Sequence, residues 1–227
     1  MLKNMLNLFF PKVCLGCRGI LLSNESIICT NCRHELPLTL HHLQPDNEAF
    51  KKFYGKIPVE FAATFVYYHK KGIVQQLIHN LKYKGHEEIG GLLGEWYAHE
   101  LITTGVLPKI DEIIPVPLHK RKFRERGYNQ VTTFGNSLST QLKIAYNDKL
   151  LFRRKYTKTQ TSKNLLKRTE LNNDVLFEAS FKVEDHNKHF LLIDDVLTTG
   201  STIEACGKAL LKIPGARISV LCIAMSH

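Results

Sequence analysis

The chain has 227 residues, 44% of them hydrophobic and 23% charged, enough for one full domain of about 150 residues and a small appendage. Thirty-one Lys and Arg against 21 Asp and Glu leave a net charge of +10, which predicts attraction to polyanions such as nucleic acid or phosphorylated ligands. The longest apolar runs, at 61–68, 190–193 and 218–225, fall well short of the ~18 residues of a membrane span, and the N-terminus lacks the h-region and cleavage site of an export signal, so a soluble, cytoplasmic protein with no membrane span is expected.

The first 32 residues hold four of the six cysteines, as Cys14-Leu-Gly-Cys17 and Cys29-Thr-Asn-Cys32. Each knuckle puts two thiolates on one turn, and two knuckles folded together complete the tetrahedral, closed site of a structural Zn2+. A segment this short has too little apolar surface to fold alone, so the metal would supply much of its stability; two disulfides are the alternative, disfavoured because nothing points to export. His34, His41 and His42 read as solvated loop histidines, and Cys206 and Cys222, isolated in apolar surroundings, as core residues.

Residues 34–58 mix Pro, His, Asn and Lys without a sustained period and read as a connector. The run at 61–68 is β-rich, and Leu77, Ile78 and Leu81 mark a short helix over 73–81. Leu92/Trp96, Leu93/Tyr97 and Tyr97/Leu101 are i, i+4 pairs of a second helix at about 87–102, with Trp96 expected in the core. An apolar strand at 110–116 precedes a polar stretch and then a helix at about 128–142. A β segment over 174–183, a buried strand at 190–193, a helix at 203–211 and a last strand at 218–225 complete the chain. Strands alternating with helices predict an α/β fold, a mainly parallel sheet flanked by helices.

The strand at 190–193 runs into Asp194-Asp195-Val-Leu-Thr198-Thr199-Gly200-Ser201-Thr202. The turn's N–H groups and the next helix's N-terminus form an anion cradle; the hydroxyls add donors and Gly200 permits close backbone approach. Two carboxylates beside a phosphate must face another part of the ligand, such as ribose hydroxyls or water on Mg2+. The segment is therefore shaped for a sugar 5-phosphate, and it resembles the PRPP-binding motif of type I phosphoribosyltransferases. That resemblance implies a second, pyrophosphate-binding loop after an earlier strand, here Val116, Pro117, Leu118, His119 and Lys120, with Lys82 as a further ligand contact.

The continuation through Arg121-Lys-Phe-Arg-Glu-Arg126-Gly-Tyr128-Asn-Gln130, the four-cysteine segment and Lys82-Tyr-Lys84-Gly85 together resemble the ComF (ComFC) competence-protein family over nearly the whole chain, with Tyr128 where the family usually carries Phe. The resemblance implies a zinc finger over residues 1–40, a connector at 41–60 and a type I phosphoribosyltransferase-like domain at 61–227. It also implies PRPP with Mg2+ as ligand, and natural transformation as the process. Single-stranded DNA, a DNA translocase and recombination-loading proteins would be the partners.

Charge location adds to this. Residues 120–126 carry five cations and one acid, residues 149–168 eight cations and no acid, so these two segments exceed the whole net charge. One PRPP can use three or four cations; the excess favours a tracked polyanion backbone, single-stranded DNA in its sharper form, with Arg121, Lys122, Arg124, Arg126, Arg153, Arg154, Lys155 and Lys158 as contacts and Tyr128, Phe123 and Tyr156 as stacking candidates. Three alternatives stay open: a merely solvated charged face, an active transferase moving phosphoribose to a base or amine, and a ligand-sensing regulator. Type I transfer proceeds through an oxocarbenium-like transition state without a protein nucleophile, so no catalytic residue is assigned.

Overall fold

The apolar run at 190–193 lies at the centre of the molecule. The structure, a computed structural model, describes residues 11–153 and 176–226. In chain order these form α1 (Thr30–His34), α2 (Glu48–Lys51), β1 (Phe61–Tyr68), α3 (Ile73–Tyr83), α4 (Glu88–Thr104), β2 (Glu112–Pro115), α5 (Lys120–Arg126), α6 (Thr132–Leu142), β3 (Ala145–Tyr146), β4 (Leu151–Arg153), β5 (Phe177–Ala179), β6 (His189–Leu197), α7 (Ser201–Leu210) and β7 (Arg217–Ser226). Five strands make one sheet in the order β1-β7-β6-β2-β3, with every pairing parallel. The expected α/β class, a parallel sheet with flanking helices and an N-terminal cysteine cluster, is what the chain forms.

Side chains of a strand alternate between faces, and β6 serves two cores. Leu191 and Ile193 join a cluster with Val74, Leu77, Leu93 and Phe134 from α3, α4 and α6. Phe190 and Leu192 join a second cluster with Ile203 and Cys206 of α7 and Phe53 and Ile57 of the connector. All four β6 residues are fully buried, each worth about 1.5–3 kcal/mol of apolar transfer. Helices α4 and α6 approach closely: a Cβ on Gly94 would lie 2.7 Å from the Phe134 carbonyl oxygen.

Several expectations need correction. His41 and His42 are 2% and 6% exposed: His41 holds the connector to the sheet, its Nδ1 3.0 Å from Thr64 Oγ1, and His42 packs edge-on against Tyr97 of α4. The connector is ordered by side-chain bonds to backbone: Asn47 caps α2 by accepting from the Phe50 N–H, while its amide donates to the carbonyls of His41 and Ala62. Trp96 is only half-buried, edge-on to Phe65 with the Arg33 guanidinium 5.0 Å above its ring. The polar stretch before α6 contains the separate helix α5. The cysteine segment packs Cys14 and Cys32 into the α3–α4 core, and the Asn80 amide of α3 donates to the Leu15 carbonyl at 2.9 Å.

Parallel strands β2 and β6 are neighbours, and chain order reverses between them: β3 continues outward beyond β2, whereas β7 and β1 lie beyond β6. Ligands of open α/β sheets bind at the carboxyl ends of strands at such a point.

A candidate phosphoribosyl site beside a four-thiol centre

The Sγ atoms of Cys14, Cys17, Cys29 and Cys32 all lie within 4.8 Å of one another, and Cys17 and Cys29 are 3.7 Å apart. That is the edge of a tetrahedron with zinc–sulfur bonds of about 2.3 Å and far beyond a disulfide bond of about 2.05 Å; all six cysteines are free thiols. Backbone N–H groups of Gly16 and Cys29 point at the Cys14 sulfur. Burial works to raise the Cys14 thiol, but backbone N–H groups bring it down to about 7, while burial and the neighbouring thiols push Cys32 upward. Four crowded thiols cannot all ionise without a cation among them, so the donor set fits a closed Zn2+ site.

At the other end of α3 lies the acid pair. β6 extends past residue 193 to Leu197 and carries both carboxylates inside the strand, so they face opposite sides instead of jointly facing one ligand group. Asp195 is buried, and both its oxygens are taken: Oδ1 by Lys82 Nζ at 2.9 Å and Oδ2 by the Gln130 amide at 2.5 Å. Gln130 Oε1 accepts in turn from Arg126 at 2.6 Å, whose guanidinium sits 5.0 Å over the Tyr83 ring. Lys82, Asp195, Gln130 and Arg126 thus form one chain of contacts through α3, β6 and the end of α5. Asp194, on the other face, accepts from the Asp195 N–H. Burial and the Asp195 charge push it up to about 7 against the pull of Lys82 and Lys122, although an edge of the residue still meets solvent.

The turn after β6 matches its expected shape. Thr198, Thr199, Ser201 and Thr202 are exposed, and Gly200 is buried with φ of +81°, a left-handed conformation that glycine adopts without strain; Phe53 packs beneath it. Lys56 of the connector donates to the Thr199 carbonyl at 3.2 Å. It brings an unforeseen cation to the turn. On the expectation that the turn takes PRPP, replacing Lys56 by Ala weakens that binding about fivefold, the worth of one exposed charge-assisted contact, with an unchanged melting temperature; calorimetry and a thermal melt check both.

The loop after β2 is less available than expected. Val116 spends its N–H on the Ile193 carbonyl and its carbonyl on the Asn129 amide, and Pro117 has no N–H to give. Leu118, His119 and Lys120 are left to carry what the loop offers a ligand, and His119 is also engaged, its Nδ1 accepting from the Arg121 N–H at 3.2 Å as the cap of α5.

The chain is 31% identical to the DNA utilization protein YhgH of Shigella flexneri, over 94% of this chain and 96% of that protein. To Competence protein F of Haemophilus influenzae it is 27% identical, over 93% and 96% of the two chains. It belongs to the ComF competence-protein family. No protein-family model matches the chain. Among solved structures it overlaps an adenine phosphoribosyltransferase at 17% identity and a TM-score of 0.38, over 67% of this chain and 75% of that one. The enzyme from Saccharomyces cerevisiae overlaps at 19% and 0.36, over 70% of each. The parallel sheet and the strand-turn-helix at β6 and α7, rather than these slight overlaps, carry the fold assignment.

The residues of this ComF-family chain expected to contact nucleic acid differ in their settings. Arg121, Lys122 and Arg124 are exposed on α5, which buries none of its residues; Arg126 is engaged with Gln130 and Tyr83. Arg153 lies over Phe177 at 5.3 Å. Arg154, Lys155, Tyr156 and Lys158 fall outside the described residues. Tyr128 is anchored by its hydroxyl, which donates to the Leu81 carbonyl. No described helix is long and apolar enough to cross a membrane.

Sequence reasoning missed Gln130, Tyr83 and Lys56. The Arg126 to Gln130 run was noticed as a block, but only the fold brings it onto Asp195.

Proposed function

We propose that this chain binds PRPP with Mg2+ at the carboxyl ends of β6 and β2, and that it handles single-stranded DNA along α5 and the basic segment after β4 during natural transformation in the cytoplasm. A translocase and recombination-loading factors are its expected partners, and Zn2+ holds its N-terminal cysteines. The supporting observation is the continuous chain from Lys82 through Asp195 and Gln130 to Arg126: it fastens the basic helix to the acid strand, so occupancy of one can be felt at the other. The residues suit PRPP. The hydroxyl-rich turn and Lys56 would hold the 5-phosphate, Asp194 would accept from ribose hydroxyls or Mg2+-bound water, and Mg2+ would neutralise the pyrophosphate. The names of YhgH and Competence protein F, DNA utilization and competence, support the DNA role.

Neutralising Arg121, Lys122 and Arg124 together to Gln is expected to reduce the log–log salt slope of single-stranded DNA binding by about 2, since each phosphate contact contributes roughly 0.7. Fluorescence anisotropy between 50 and 200 mM salt, the range over which such binding changes most usefully, measures it. An unchanged slope would return α5 to a solvated charged face.

An active transferase is favoured by one observation. A cavity of about 410 Å3 between α3 and the strand ends is lined by Tyr68, His79, Tyr83, Asp195 and Thr198, room for a planar acceptor beside the ribose. Steady release of pyrophosphate from PRPP with a base or amine, without measurable DNA affinity, would make this the function.

A further inference from the structure

A second cavity, of about 380 Å3, opens between the loop after β2, the end of α5, the start of α6 and β3, and none of the groups in the Asp195 network lines it. Its volume is in the range of small-ligand pockets, about 300–1,000 Å3. Three rings face it, Phe123, Tyr128 and Tyr146. Two are fixed: Tyr128 by its hydroxyl bond to Leu81, and Tyr146 by packing where a Cβ on Gly135 would be only 2.4 Å from its ring. Phe123 is half-exposed at the mouth.

The charge of the lining is opposite to that of its surroundings. Among the described residues Glu87 and Asp148 line the cavity and no Lys, Arg or His does, although α5 beside it carries five cations in seven residues. Each carboxylate lies by a ring. Tyr128 is raised first by burial and then by Glu87; for Tyr146 burial acts first, opposed by Thr132, with Asp148 adding to the rise. Asn129 donates its amide N–H to the Val116 carbonyl and its Oδ1 accepts from the Val131 N–H, so the two carboxylates are the charged acceptors that face the cavity. Such a lining repels phosphate and accepts a flat ring bearing N–H donors, while the cations outside suit a phosphodiester backbone.

We propose that this cavity is a nucleobase subsite that takes one splayed base of a single strand, selecting bases with an exocyclic amine through Glu87 and Asp148 while α5 holds the flanking phosphates. This rests on the single-stranded DNA reading and extends it from backbone tracking to base preference. Cytosine presents an N4 amine donor where thymine presents the O4 acceptor, so the carboxylates attract one pyrimidine and repel the other.

The test is anisotropy with oligo-dC and oligo-dT of equal length at neutral pH, using the full chain and the Glu87→Gln and Asp148→Asn variants. Glu87 makes no side-chain cap to α4, so its change to Gln leaves the helix start intact. The expected result is a preference for dC of about ten- to a hundredfold, the worth of one hydrogen bond to a charged group, reduced in each variant with dT affinity kept or improved. Equal binding of dC and dT by the unaltered protein would overturn the subsite and leave the DNA reading standing. A dC preference that survives both substitutions would also overturn it, and no binding of either oligomer would remove both the subsite and the DNA reading.

Discussion

Changing Cys14 to Ser is expected to abolish binding of the proposed zinc, roughly one per chain, and to lower the melting temperature by about 8–16 °C. Loss of a structural metal is among the few single changes worth more than about 4 kcal/mol, and a domain of this size shifts by about 2–4 °C per kcal/mol. The size follows from where the cysteines sit. Cys14 and Cys32 are 0% and 2% exposed and share a core with Val74 and Ile78 of α3, so an unliganded, mutually repelling set of thiols loosens the main body as well as residues 14–32. Metal analysis and a thermal melt measure this, with Cys222→Ser as control: it places a hydroxyl in an apolar core but leaves the metal in place. A Cys14→Ser protein that still holds one zinc, or melts with the unaltered chain, would refute the assignment. The loss should also reach the ligand site. Leu15 is bonded to Asn80, two residues before Lys82 on the same helix, so PRPP affinity is expected to fall on metal removal even at temperatures where the sheet remains folded.

What could be read from the residues was the part governed by periodicity. Helices expected at 73–81, 87–102 and 203–211 became Ile73–Tyr83, Glu88–Thr104 and Ser201–Leu210, and the last strand Arg217–Ser226, because each has an apolar stripe or run that must be buried. Helix α5 has no such stripe. It is set by a His119 cap and by Gly127 at φ +81°, and its side chains all remain outside, so composition alone suggested a polar loop. The connector was opaque for a related reason: Asn47, His41 and Thr39 hold it by bonds to backbone and hydroxyl groups, which leave no repeating pattern. At the site, the Asp194–Asp195 pair was conspicuous but its geometry was not. The sequence places both acids at the carboxyl end of a short strand, jointly facing one ligand; the four further residues in β6 make them alternate, and Lys82 and Gln130, 113 and 65 positions away, take the inner one.

The two acids should therefore respond oppositely when neutralised. Asp195→Asn leaves the Lys82 ammonium, whose side chain is 19% exposed against 8% for Asp195, without its counter-charge, and breaking a largely buried pair from one side destabilises by about 3–5 kcal/mol. Asp194→Asn should stabilise the ligand-free protein at alkaline pH. Its carboxyl, ordinarily near 3.8, stands at about 7 in the folded chain through burial and the neighbouring Asp195. The folded state thus holds this proton more tightly than the unfolded one, which favours folding fully below the unfolded value and less as pH rises through the folded one. Above that point an ionised Asp194 opposes folding, and Asn, which cannot ionise, escapes the penalty. The expected melts coincide at and below the unfolded carboxyl's pKa of about 3.9, diverge as pH rises from there to about 7 and stay apart above it, with Asp194→Asn higher by a few degrees at about 2–4 °C per kcal/mol. On the proposed PRPP reading both variants should bind PRPP with Mg2+ less tightly: Asp194→Asn has lost the carboxylate assigned to the ligand, and Asp195→Asn has released Lys82 and Gln130 from their positions. Titration calorimetry across neutral pH separates them, because the unaltered chain should gain affinity as Asp194 ionises near pH 7 and Asp195→Asn, without the neighbouring charge, at lower pH, whereas Asp194→Asn should lack that gain. A gain that persists in Asp194→Asn would exclude Asp194 as the group facing ligand.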